Sequence, residues 1–149
     1  SVEPRNKRGK TAKKVKDVKK IAISFTIVKN ITAKTGERTL YIRIAKPDND
    51  ILTKNASNTF PYENRNLVYS IKKYIEYTGE EQNVTVYWDV EEYLPAGTYH
   101  VYIFADGTMI GQQAFSMKYQ GTFSPSIYLI KIQPVGNEPA VFFSTKQKQ

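Results

Sequence analysis

The sequence predicts an all-β protein: an antiparallel β-sandwich or a related barrel, with about 7 to 9 strands. Three observations carry that prediction. From residue 20 onward, apolar side chains recur at every second position over most of the chain, the period of a strand with one buried face. Clusters of Gly, Pro, Asn and Asp interrupt that alternation at strand-length intervals. No internal segment carries a sustained helical stripe instead.

The elements follow in order. Ile21, Ile23, Phe25 and Ile27 alternate with Ala22, Ser24, Thr26 and Val28 in a first strand, and Leu40, Ile42 and Ile44 alternate with Tyr41, Arg43 and Ala45 in a second. Pro47-Asp48-Asn49-Asp50 supplies a turn, because proline presets φ and Asp or Asn side chains bond their own backbone. After a short apolar step at Ile51-Leu52, residues 54–66 carry no period and read as a long loop or ragged edge. Residues 67–77 read as one long strand with Leu67, Tyr69, Ile71, Lys73, Ile75 and Tyr77 on one face. Val84, Val86, Trp88 and Val90 make the next. Leu94-Pro95-Ala96-Gly97 turns the chain into Tyr99, Val101 and Ile103, and Asp106-Gly107 marks a two-residue hairpin into residues 109–118. The C-terminal part adds Ile127 to Ile132, a turn from Pro134 to Pro139, and Ala140 to Phe143.

Charge divides the chain more sharply than hydropathy does. Of a formal net charge of +8, residues 1–20 hold +7: nine bases (Arg5, Lys7, Arg8, Lys10, Lys13, Lys14, Lys16, Lys19 and Lys20) against Glu3 and Asp17. The remainder is nearly neutral, so basicity says little about the β body. The expected organisation is a basic linker or the end of an upstream helix over 1–19, where Ala12, Val15 and Val18 are spaced by three. A β-sandwich follows over 20–119, and a C-terminal strand pair over 120–149 is added to the sandwich or to a partner. No apolar run approaches the roughly 18 residues a membrane helix needs.

The run Val86-Tyr87-Trp88, then Leu94-Pro95-Ala96-Gly97-Thr98-Tyr99-His100-Val101, then Ala105-Asp106-Gly107 resembles the late strands of bacterial immunoglobulin-like and fibronectin-type-III-like modules. In those modules a tryptophan-bearing strand precedes a Leu-Pro-x-Gly-x-Tyr turn, a core strand and a hairpin. Tyr41-Ile42-Arg43-Ile44-Ala45-Lys46-Pro47-Asp48 is similar to an early strand of the same modules. The chain departs from the antibody pattern in having no cysteine. The resemblance implies an immunoglobulin-like sandwich and a structural or interaction role, without catalysis, in a bacterial envelope or secreted protein. The matching location is periplasmic, cell-surface or secreted. It carries no site residues with it.

The inventory of chemical groups points the same way. A hydrolytic triad needs a base poised near neutral pH; the one histidine, His100, falls mid-strand and reads as a surface or cross-strand residue. One histidine without cysteine cannot build a zinc site. Asp48, Asn49 and Asp50 read as a turn, since they lack the glycine and terminal glutamate of a calcium loop; Asp89, Glu91 and Glu92 form a second acidic group. No cofactor and no metal are expected.

Aromatic residues offer the candidate binding face. With these strand phases Tyr41, Arg43, Lys72, Tyr74, Tyr87, His100, Tyr102 and Phe104 all point away from the core. Together they would make a tyrosine-rich, mildly basic surface able to stack sugars, bases or a protein partner. The competing reading is that cross-strand aromatic pairs stabilise a sheet by a few tenths to about 1 kcal/mol and bind nothing, and that loops cover one face. Protein or glycan is the expected partner, with a homo-oligomer through edge-strand pairing as a further expectation. The alternative function is nucleic-acid binding by the basic arm and stacking aromatics. The arm itself has three readings: a solvated linker, a polyanion contact or a tether to a lipid surface.

Overall fold

Alternating β-branched and aromatic residues fit a pleated surface with one buried side, and the strands that supply most of the core form where that alternation predicts. The computed structural model describes residues 2–5, 19–29, 34–117, 128–131 and 141–145. They form eleven strands and, among the described residues, no helix. In chain order these are β1 (Val2–Arg5), β2 (Lys20–Ile27), β3 (Gly36–Ala45), β4 (Thr59–Tyr62), β5 (Arg65–Val68), β6 (Ile71–Tyr77), β7 (Gln82–Asp89), β8 (Gly97–Ala105), β9 (Thr108–Met117), β10 (Tyr128–Lys131) and β11 (Val141–Thr145).

All pairings are antiparallel. One sheet is centred on β2. Strand β7 lines one edge of β2 over its full length, from Lys20 opposite Asp89 to Ile27 opposite Gln82. The other edge is shared: β1 pairs with Lys20 to Ile23, and β11, itself paired with β10, pairs with Phe25 to Ile27. The second sheet runs β6-β3-β8-β9. A separate two-stranded sheet joins β4 to β5.

The two larger sheets enclose one core, the arrangement of a β-sandwich. Ile21, Ile23, Phe25 and Ile27 of β2, with Val84, Val86 and Trp88 of β7, pack against Leu40, Ile42 and Ile44 of β3 and Tyr99, Val101 and Ile103 of β8. These are the positions that the period of two assigns inward. The β8–β9 hairpin turns at Asp106 and Gly107, both with positive φ (51° and 76°), as a tight two-residue hairpin turn requires. Arg38 on β3 holds this turn through an ion pair with Asp106. Asp48-Asn49-Asp50 is a turn as expected, with the Asp50 N–H donating to Asp48 Oδ1 at 2.9 Å. The acids Asp89, Glu91 and Glu92 pair with Lys20, Lys54 and Lys46 at 3.6, 3.0 and 3.5 Å.

Three segments differ from the sequence reading. Val2–Arg5, expected within a polar leader, is a strand along β2, with Val2 in the core. The aperiodic stretch 54–66 contains β4 and the start of β5. The expected single strand over 67–77 is two strands in different sheets, broken at Tyr69-Ser70. Ser70 causes the break by turning into the edge of β3, where its N–H donates to Ile42 O at 2.8 Å and its Oγ accepts from Ile44 N–H at 2.9 Å. Ala12, Val15 and Val18, in the segment read as a basic linker or the end of an upstream helix, and the turn from Pro134 to Pro139 lie outside the described residues.

Candidate functional site

The β4–β5 hairpin is an excursion that leaves and rejoins the sheet at one point. On the outgoing side Leu52 N–H donates to Ile44 O at 2.9 Å, and on the return Ser70 Oγ takes Ile44 N–H. Both backbone groups of Ile44 are thus satisfied by the two ends of the excursion. The hairpin turns at Glu63 and Asn64, both with positive φ (47° and 65°). Its register sets Phe60 opposite Leu67 and Tyr62 opposite Arg65, so these four side chains share one face. That face lies on the outer surface of the β6-β3-β8-β9 sheet.

Aromatic rings make the contact. Phe60 stacks on Tyr41 with centroids 4.5 Å apart and planes within 8°, and it meets Phe104 at 5.0 Å. Tyr62 meets Phe104 edge-on, also at 5.0 Å. Tyr69 adds a tilted contact with Tyr41 at 5.3 Å. The hairpin therefore covers the half of the sheet face where Tyr41 and Phe104 sit, and Phe104 is only 5% exposed.

Between the hairpin tip and the sheet lies a cleft of about 400 Å³. The sheet contributes Arg43 and Ala45 from β3 and Tyr102 and Phe104 from β8; Tyr62, Glu63, Arg65 and Leu67 come from the hairpin. Asn49, Ile51 and Met109 complete the rim. Arg43 and Tyr102 are direct cross-strand neighbours. Arg43 is fixed by its Nε–H donating to Val68 O at 2.8 Å, which leaves its terminal nitrogens available. Burial pushes the Arg43 guanidinium below its ordinary value, and the Arg65 charge pushes it the same way, against an opposing influence from Tyr102. An arginine stays charged under such a shift, so the cleft holds two like charges in proximity.

The predicted aromatic face is thus divided. Tyr41 and Phe104 are covered by the hairpin. Arg43 and Tyr102 line the cleft, with His100 beside them, its ring stacked on Tyr102 at 6.1 Å. Lys72 and Tyr74 lie on β6, where Lys72 Nζ sits 5.1 Å from the Tyr74 ring and 5.9 Å from the Tyr41 ring. Tyr87 does not belong with the others. It is on β7, in the opposite sheet, 54% exposed, with Lys20 Nζ 5.5 Å from its ring. Two sheets have two outer faces, and a common outward phase places residues on one surface only when their strands share a sheet. Of the basic residues, Arg5 lies opposite Lys20 in β1–β2, Lys19 bonds the Arg5 carbonyl through its N–H, and Lys20 pairs with Asp89. Lys7, Arg8, Lys10, Lys13, Lys14 and Lys16 lie outside the described residues.

Tyr62, Glu63, Arg65 and Leu67 are site residues that sequence reasoning missed. Their signal was faint: a Glu-Asn turn without glycine between short apolar-polar runs. Among the described residues, no three His, Asp or Glu side chains converge as a metal site, and no helix is long and apolar enough to cross a membrane.

Residues 1–118 match a protein family described as a domain of unknown function, DUF8428. The chain belongs to that family. The matched span takes in β1 to β9, both walls of the cleft included, and stops one residue after β9; β10 and β11 lie beyond it. No match to the chain is found among curated proteins or among solved structures.

Proposed function

We propose that this DUF8428 chain is a non-enzymatic interaction module of immunoglobulin-like topology that binds a protein or glycan partner in the cleft beneath the β4–β5 hairpin. The strand pairing supports the topology. With β1, β2 and β7 as strands A, B and E, and β6, β3, β8 and β9 as strands C′, C, F and G, the neighbours are those of an immunoglobulin-type sandwich. A second support is Tyr99, near the start of β8, whose hydroxyl donates to Pro95 O at 2.6 Å. That bond has the form of the tyrosine corner found at the start of strand F. The envelope or secreted setting rests on the resemblance of the late strands alone.

The observation that carries the binding reading is the cleft itself. It is an open site that combines aromatic and aliphatic walls with a few convergent polar groups, the usual composition of a ligand pocket. The test is a glycan and peptide array probed with the wild-type protein and with Tyr102→Ala. Ligands bound by the wild-type protein and lost in the variant are expected. An array ligand held equally by both proteins contradicts the assignment of binding to the cleft.

A further inference from the structure

We propose that the cleft recognises an acidic sugar: a pyranose ring whose carboxylate is held by Arg43 and Arg65 and whose faces lie against Tyr62 and Tyr102. The inference deepens the binding reading above and rests on it.

Charge is the first ground. Several cations of the β body have an acidic partner: Arg38 has Asp106, Lys46 has Glu92, Lys54 has Glu91 and Lys29 has Glu80. Arg43 and Arg65, like Lys72 and Lys73, form no ion pair among the described residues; what sets the two arginines apart is that both line the same cleft. Glu63, at the hairpin turn, is the one acid in the lining and is likewise unpaired among the described residues, so the lining keeps a net charge of +1. Two guanidinium groups lining one cleft raise each other's energy, and a single anion between them removes that repulsion. A carboxylate suits the role, because its two oxygens match the fork of a guanidinium. With Nε of Arg43 committed to Val68 O, the terminal nitrogens of a side chain held in place remain to donate.

Shape separates a sugar from an extended peptide. A peptide binding by strand addition needs a free backbone edge. Strand β3 is paired on both sides, by β6 and β8, and β8 by β3 and β9. The gap lies between a sheet face and a hairpin face, and side chains of both form its walls. What they offer is aromatic ring surface with hydroxyl tips on Tyr62 and Tyr102, aliphatic surface on Ile51 and Leu67, and the Asn49 amide. Flat C–H faces ringed by hydroxyls are the features of a pyranose, and they meet such a lining on both counts. A volume of about 400 Å³ falls within the range of small-ligand pockets.

The test is isothermal titration of the full chain with a glucuronic acid disaccharide, the matching neutral glucose disaccharide, inorganic phosphate, and a short acidic peptide. Saturable binding of the uronate is expected, with the neutral sugar weaker by about tenfold or more, as loss of a charge-assisted hydrogen bond implies. Arg65→Gln, at an exposed position, should weaken the uronate by a similar factor, and Arg65→Lys should restore only part of it, because an ammonium lacks the fork. Equal affinity for the neutral sugar, phosphate binding as strong as the uronate, preference for the acidic peptide, or no uronate binding each overturns the acidic-sugar assignment. The wider reading is judged separately by the array: a ligand lost in Tyr102→Ala keeps the cleft as the binding site even where the uronate fails.

Discussion

At Ser70 the chain returns from the hairpin to the sheet, and one side chain completes the edge of β3. The residue is 6% exposed, and its hydroxyl accepts the Ile44 N–H that no strand reaches. Ser70→Ala leaves that buried donor without a partner, so a loss of about 1–3 kcal/mol in urea unfolding is expected, together with faster hydrogen exchange at Ile44. Unchanged exchange at Ile44 would show that the edge is closed by something else. Glu63 carries a different kind of information. Its φ of 47° lies in the left-handed region, which favours Gly, Asn or Asp over a residue with a long side chain. The turn keeps a glutamate there, on the rim of the cleft.

Among the elements, the strands that face each other across the core were legible because burial on one side imposes a period of two. Ile21 to Ile27 and Val84 to Trp88 show it without interruption. The Leu94-to-Gly97 connection and the Asp106-Gly107 turn were legible because their backbone geometry restricts which residues fit. Gly97 illustrates the restriction: its φ is 138°, and a Cβ there would lie 2.7 Å from Pro47 Cγ. Gly97→Ala should therefore destabilise the fold by about 2–4 kcal/mol, read as a lowered thermal midpoint; a midpoint within a degree of wild type would mean that the β8 entry and the Pro47 turn do not touch in solution. The β4–β5 hairpin was not legible. Its inward residues Phe60, Tyr62, Arg65 and Leu67 are read by a sheet face rather than by the main core, its turn lacks glycine, and Leu67 to Tyr77 continues the alternation straight through the break at Ser70. Half of the candidate site, Arg43 and Tyr102, could be read from strand phase. The other half, on the hairpin, depends on a fold-back that local pattern does not encode.

For the whole molecule, the contrast between a +8 chain and a nearly neutral body moves the question of partners from overall charge to local placement. The outer face of the β6-β3-β8-β9 sheet is partly roofed by its own insertion, and that roof converts a flat aromatic surface into a walled cleft with two unpaired arginines. The opposite sheet exposes Tyr87, with no such wall beside it among the described residues. Beyond the family's span, β11 takes the part of the β2 edge that β1 leaves free, which reduces the strand edge open to another chain. Whether partners bind in the cleft rather than on the other aromatic surfaces or at strand edges is read by amide and side-chain chemical-shift mapping of the labelled protein with an array-identified ligand. Binding in the cleft places the largest shifts at Arg43, Arg65, Tyr102 and Met109; shifts centred on Lys72 and Tyr74 of β6, or on Tyr87 of β7, with the cleft unchanged, would show that partners bind elsewhere.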